Sequence, residues 1–242
     1  MHRTSTDLRS GVHAPPHTQA PIAPPLSPVE QGRADCYGLA ARLLSAPADA
    51  ALLQALASMQ DLRPAGSVLA DAWRSLCGAA RAPARAVADA FDALFVSIGT
   101  PRLNPYASVY RSGFMMDQPL ADLRADLRAL GLARARHVGE PEDHLAALCA
   151  TMRVLITGVG TVPARPLERQ RQFFDRHLAP WYAECLNDME QAPDAGFYAA
   201  VARFVRAFLD IETEAFGMLE DGSGWRHESP LSDPVPAAGE GP

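Results

Sequence analysis

From Pro28 onward, apolar residues recur at intervals of three and four, the spacing that gathers them on one face of an α-helix. The first such run opens at Ser27-Pro28-Val29-Glu30, where Ser followed three residues later by Glu reads as a capping box and Pro28 fits the first helical position. It should extend to about Ser45, burying Tyr37, Leu39, Ala40, Leu43 and Leu44. Further helices are predicted over 48–59 (Leu52, Leu53, Leu56), 64–80 (Val68, Leu69, Trp73, Leu76) and 83–98 (Val87, Phe91, Leu94, Phe95, Ile98). Residues 99–113 break the pattern. With two prolines, two tyrosines and a glycine at either end they predict a long connection, the kind that is usually functional or mobile. Periodicity resumes after Pro119 with Leu120, Leu123, Leu127 and Leu130, and Gly131 is the natural stop. Arg124, Arg128, Asp122 and Asp126 lie off that stripe and predict a solvated face.

A short hinge containing His137 leads to Glu140-Pro141-Glu142-Asp143-His144, and then to Leu145, Leu148, Cys149, Met152, Leu155 and Ile156 on one face. Pro141 suits a first turn, and carboxylates beside it would face the positive end of the helix dipole. The chain then turns over 157–166, and helices are predicted over 166–177, from Pro180-Trp181 to Pro193, and over 195–219. There is no internal repeat and no convincing strand. The expected fold is all-α, a single globular domain of about nine helices over 28–220. A Pro-rich tail (1–27), which holds His2, His13 and His17, and a Gly/Ser/Pro/acid tail (221–242) are expected to be disordered.

Composition narrows the chemistry. Apolar residues make up 48% of the 242, enough for a substantial core, and the net charge of −6 argues against nucleic acid as the main partner. All 22 basic residues are Arg. Without Lys there is no Walker phosphate loop and no Schiff-base nucleophile. Cys36, Cys77, Cys149 and Cys185 are far apart and sit in or beside apolar helical patterns, so they read as small core residues in a reducing compartment, the cytoplasm. No leader and no membrane-spanning apolar run is apparent, so neither export nor membrane insertion is expected.

Read from its residues alone, the Glu140–His144 stretch admits three roles: an ordinary helix start in a structural scaffold, a binding site, or part of a small helical enzyme. Glu140 and His144 at i, i+4 would put two metal ligands on one helix face, but no second cluster supplies the remainder of a metal site. Glu142 and Asp143 are neighbours, which on a helix diverge by about 100° and make a poor acid–base pair.

Two segments taken together carry a resemblance. Phe91-Asp92-Ala93-Leu94-Phe95, Ile98-Gly99 and Pro105-Tyr106-Ala107-Ser108-Val109-Tyr110 resemble the first signature of the TorD/DmsD/NarJ family of redox-enzyme maturation chaperones. Glu140-Pro141-Glu142-Asp143-His144 resembles the second, and Phe173-Phe174, His177-Leu178 and Pro180-Trp181 a later feature. Ser97 departs from the family's small Gly near the Leu-Phe signature. The resemblance implies an all-helical chaperone without catalytic activity, cofactor or metal of its own. Its partners would be the signal peptide, often twin-arginine, and the apo-form of a molybdenum-containing oxidoreductase, held in the cytoplasm until cofactor insertion. It implies a peptide site in which Asp143 and His144 line the groove, Glu140 and Pro141 shape it, and Tyr106, Ser108 and Tyr110 face it. Phe91, Leu94 and Phe95 are candidates for its apolar wall, and Glu142, Asp143 and Asp92 for its charge. The chain would act as a monomer or as a homodimer that exchanges its C-terminal helices about 157–166.

Overall fold

The computed structural model describes residues 25–62, 64–96, 101–134 and 139–221. Expectations for the greater part of the Pro-rich head, for the C-terminal tail, for Ser97, Ile98 and Gly99, and for His137 fall outside the described residues. The described residues form ten helices and no β-strand: α1 (Pro28–Ser45), α2 (Ala50–Ser58), α3 (Val68–Ala79), α4 (Ala84–Phe95), α5 (Ala107–Ser112), α6 (Gln118–Ala129), α7 (Leu145–Thr157), α8 (Leu167–His177), α9 (Tyr182–Gln191) and α10 (Phe197–Asp221).

The start of α1 follows its sequence. Ser27 accepts from the Glu30 N–H and Glu30 accepts from the Ser27 N–H, so both halves of the capping box are made. Two starts do not. The predicted 64–80 helix begins only at Val68, capped by Ser67. The helix expected from Pro141 begins at Leu145, with His144 as its N-cap. Residues 99–113 also hold a helix, the six-residue α5, which periodicity could not reveal because so short a segment buries only Ala107 and Ser108.

Two packing units meet in one core. α1 and α7 are the most extensively packed pair. They run antiparallel: Gly38 lies against Arg153, and Ala41–Ser45 face Ala146–Ala150. The long α10 packs on α3, α9, α4 and α1, and its Val201, Phe204, Val205, Phe208 and Leu209 are all buried. Aromatic contacts knit the units: Tyr37 meets Phe208 edge-on at 4.7 Å, and Trp73 meets Phe204 at 5.4 Å.

One polar cluster lies inside this core. Glu212 of α10 accepts both Nε and Nη2 of Arg33 at 2.7 Å, and the Tyr37 hydroxyl at 2.9 Å. Arg33 also donates to Gln170 of α8 and lies over the Phe216 ring. Bidentate geometry and full pairing make this buried charge tolerable.

The charges of α6 form the expected solvated face only in part: Arg128 is exposed and Asp122 accepts from Gln118 of the same helix, whereas Arg124 and Asp126 are engaged elsewhere. Arg124 binds Glu142 at 2.8 Å, and Asp126 receives both Arg176 and His177. Arg124 and Asp126 thereby tie α6 to distant parts of the chain. Cys149 and Cys185 are buried and Cys36 and Cys77 partly so, all as free thiols. No helix among the described residues is long and apolar enough to cross a membrane.

Candidate functional site: an apolar groove at the start of α7

Pro101 and Pro105 keep the connection after α4 out of helical conformation. It is tied to the end of α4 where the Leu103 N–H donates to the Leu94 carbonyl. It then runs antiparallel to residues 143–145. The Ala107 N–H donates to the Asp143 carbonyl (3.0 Å) and the Leu145 N–H to the Pro105 carbonyl (2.8 Å), with Tyr106 paired to His144 between them. This short ladder joins the two sequence signatures. It places the Tyr106 and His144 rings edge to face, 5.0 Å apart.

Asp143 was expected to offer its carboxylate to a peptide. It is instead completely buried, 0% exposed. Its Oδ2 accepts the Ser108 N–H (2.9 Å) and hydroxyl (2.6 Å), which caps the first turn of α5. Its negative charge therefore serves a helix start, though of another helix than the sequence suggests. Ser108, also buried, is its partner and does not face a groove. Leu94 is a core residue. Glu142 is held by Arg124 and Arg134. Burial pushes its carboxyl up, but the Arg124 hydrogen bonds and the two arginine charges outweigh that and hold it below its ordinary value.

His144 caps α7 through its ring: Nδ1 accepts the Ala146 N–H at 3.0 Å. The proton of the neutral ring then resides on Nε2. Burial lowers its pKa against the raising influence of Glu140 and Asp143. Tyr106 donates its hydroxyl to Glu140, which is exposed. Burial first, and then this carboxylate, push the phenol well above its ordinary value, so Tyr106 stays a donor.

Above these residues opens a groove of about 930 Å³ between the C-terminal halves of α1 and α4, the 101–106 connection and the first turns of α7. Phe91, Phe95, Tyr106, Glu140 and His144 line it, five of the residues expected at a peptide site. Its walls also contain residues that the sequence did not single out: Ala41, Arg42 and Ser45 of α1, Ala147 and Ala150 of α7, and Met115. The alanines carried a signal in being small where a surface helix normally bears charge. Arg42 is engaged by Asp49 at 3.1 Å. A second apolar pocket of about 270 Å³ adjoins the groove and shares Glu140, Ala147 and Ala150 with it.

Tyr110 lies elsewhere. It stacks on Trp181 (centroids 5.5 Å apart), donates to Asp188 and faces a polar cleft of about 700 Å³ that meets the groove at Leu103 and Asn104. Pro141 does not line the groove; its carbonyl accepts the His144 N–H, and Asp92 is exposed on α4 outside the groove. Glu140 and His144 do not share a helix face, because both precede α7. Among the described residues no group of His, Cys, Asp and Glu is arranged to hold a metal ion.

The model of the family described as nitrate reductase delta subunit matches residues 46–187. The chaperone protein TorD of Vibrio cholerae is 29% identical over 173 residues, which is 69% of this chain and 78% of that one. The chaperone protein TorD of Escherichia coli strain ED1a is 29% identical over 126 residues, 51% of this chain and 60% of that one. Among solved structures, that of a redox enzyme maturation protein from Archaeoglobus fulgidus aligns at a TM-score of 0.48 with 17% identity, covering 74% of this chain and 93% of that one, a likeness too distant to carry any argument. With more than half of its length, residues 46–187, inside the family model, this chain belongs to the nitrate reductase delta subunit family, the TorD/NarJ family of redox-enzyme maturation chaperones.

Proposed function

We propose that this protein binds the N-terminal signal of a molybdenum-containing oxidoreductase, a twin-arginine signal in particular, and holds the apo-enzyme in the cytoplasm until its cofactor is inserted. The observation that supports this reading is the groove: an apolar trough walled by Phe91, Phe95, Tyr106 and alanines, with the exposed Glu140 carboxylate on its lining. A twin-arginine signal pairs two guanidinium groups with an apolar segment. The trough suits the apolar segment docked as a helix. Glu140 suits a guanidinium, through charge-assisted hydrogen bonds to the carboxylate edge that Tyr106 leaves open. Asp143 contributes from inside, by fixing the ladder that sets Tyr106 beside His144.

The test is calorimetric titration with a peptide that carries two consecutive arginines followed by an apolar segment. Glu140→Arg should weaken binding several-fold to about tenfold at low salt, and the deficit should shrink as salt is added. Replacing both peptide arginines with glutamine should remove most of the difference between wild type and variant. Affinity indifferent to Glu140→Arg and to the peptide arginines would overturn the assignment.

A further inference from the structure

The turn that follows α5 presents three large apolar side chains to solvent in succession. Phe114 is 74% exposed, Met115 45% and Met116 70%. Elsewhere on the described surface such side chains stand singly, or as the pair Met218–Leu219. Single exposed apolar residues need no explanation, but a run of three beside a groove does. The turn is also held in an unfavourable conformation. Met116 has φ +59°, in the left-handed region that a non-glycine residue enters only when its surroundings compel it.

The compelling contacts lead inward. The Met116 N–H donates to Ser108 Oγ at 3.2 Å, and the Ser108 hydroxyl donates in turn to buried Asp143 Oδ2 at 2.6 Å. Asp143 therefore fixes the course of the 114–116 turn without reaching the groove itself. The result of that course is that Met115 lines the groove wall.

We propose that the Phe114–Met116 turn clamps the apolar stretch of the signal peptide, and that Ser108 and Asp143 are positioning residues for the clamp. This rests on the groove reading above. The occupant is an apolar segment that follows basic residues, for two reasons. Met115 makes the turn continuous with the groove wall, so that a segment in the trough reaches the turn. The same groove carries a carboxylate, Glu140, suited to flanking arginines. Signal segments have apolar character in common more than a fixed order of side chains. Methionine, unbranched and flexible, accommodates such variety better than a rigid wall.

Two probe peptides of about 20 residues test it, each with two consecutive arginines, one continued by a leucine-rich segment and the other by serine and glycine. The full chain should bind the leucine-rich probe more tightly. Replacing Phe114 and Met115 together with serine should cost about tenfold or more for that probe and leave the serine probe unchanged. Ser108→Ala should act in the same direction, since it frees Met116. If it fails to fold, the exposed pair, whose side chains bear little on the core, decides the matter. Full retention of the leucine preference in the double variant overturns the clamp while the groove reading stands. Equal loss for both probes, or no preference in the wild type, also overturns it. Failure of the wild type to bind either probe overturns the groove reading and the clamp with it.

Discussion

His144 shows how much one side chain can be asked to do. Its Nδ1 caps α7, its ring packs on Tyr106, and its edge lines the groove. A protonated ring would turn Nδ1 into a donor facing the Ala146 N–H, and burial already disfavours the charge. The folded pKa is thus depressed below the unfolded value of about 6.5, so the native state resists a proton that the unfolded chain accepts. The cap is at full strength above that value and is lost as pH falls through the depressed one. Urea midpoints should therefore drop between about pH 7.5 and about pH 5.5, and drop less in His144→Ser, which keeps a capping oxygen but does not titrate. Equal drops in both proteins would show that His144 carries none of the effect, since His177, also depressed by burial, has the same sign in each.

At the scale of elements, short connections decide more than helix propensity. Residues 157–166, expected to serve as a hinge, fold back tightly on α7. Val159 and Val162 bond each other through both backbone groups at 2.8 Å, the Arg165 N–H donates to the Leu155 carbonyl, and the Arg165 side chain donates to the Leu130 carbonyl. Gly158 makes the reversal possible. It has φ +71°, and an added Cβ would stand 2.9 Å from both the Ala164 nitrogen and the Val162 oxygen. Gly158→Ala should destabilise the protein by about 2 kcal/mol or more in chemical denaturation, since strain and a backbone clash coincide there. A change within a few tenths of a kcal/mol would mean that the turn rearranges freely. Much of this level was legible in advance: the Ser27–Glu30 box, the stop at Gly131 and the break at Gly158 were all written in local chemistry. The start of α7 was not. Glu140-Pro141-Glu142-Asp143 satisfies every local rule for a first turn, yet Arg124 and the α5 N-terminus offer its carboxylates better partners than the α7 dipole does.

For the whole molecule, the buried Arg33–Glu212 pair is the principal polar tie between α1 and the long α10. Glu212→Ala would strand the Arg33 guanidinium and the Tyr37 hydroxyl inside the core, at a cost of about 3–5 kcal/mol in denaturant-measured stability. A loss below about 1 kcal/mol would mean that water reaches Arg33 and the cluster is not sealed. The pairing was invisible in the sequence, because 179 residues separate its partners and neither stands in a motif. The chain by itself determined the helical class, nearly all the helices and the apolar faces that became the core, because periodicity, capping and proline chemistry act over a few neighbouring residues. Tertiary structure alone decided what the 105–110 and 140–144 segments touch. It turned Asp143 inward to hold a helix start and a turn, set Tyr110 in the adjoining polar cleft, and drew α1 and Met115 into the groove, because burial and pairing across distant segments depend on which surfaces meet, and no local pattern records that.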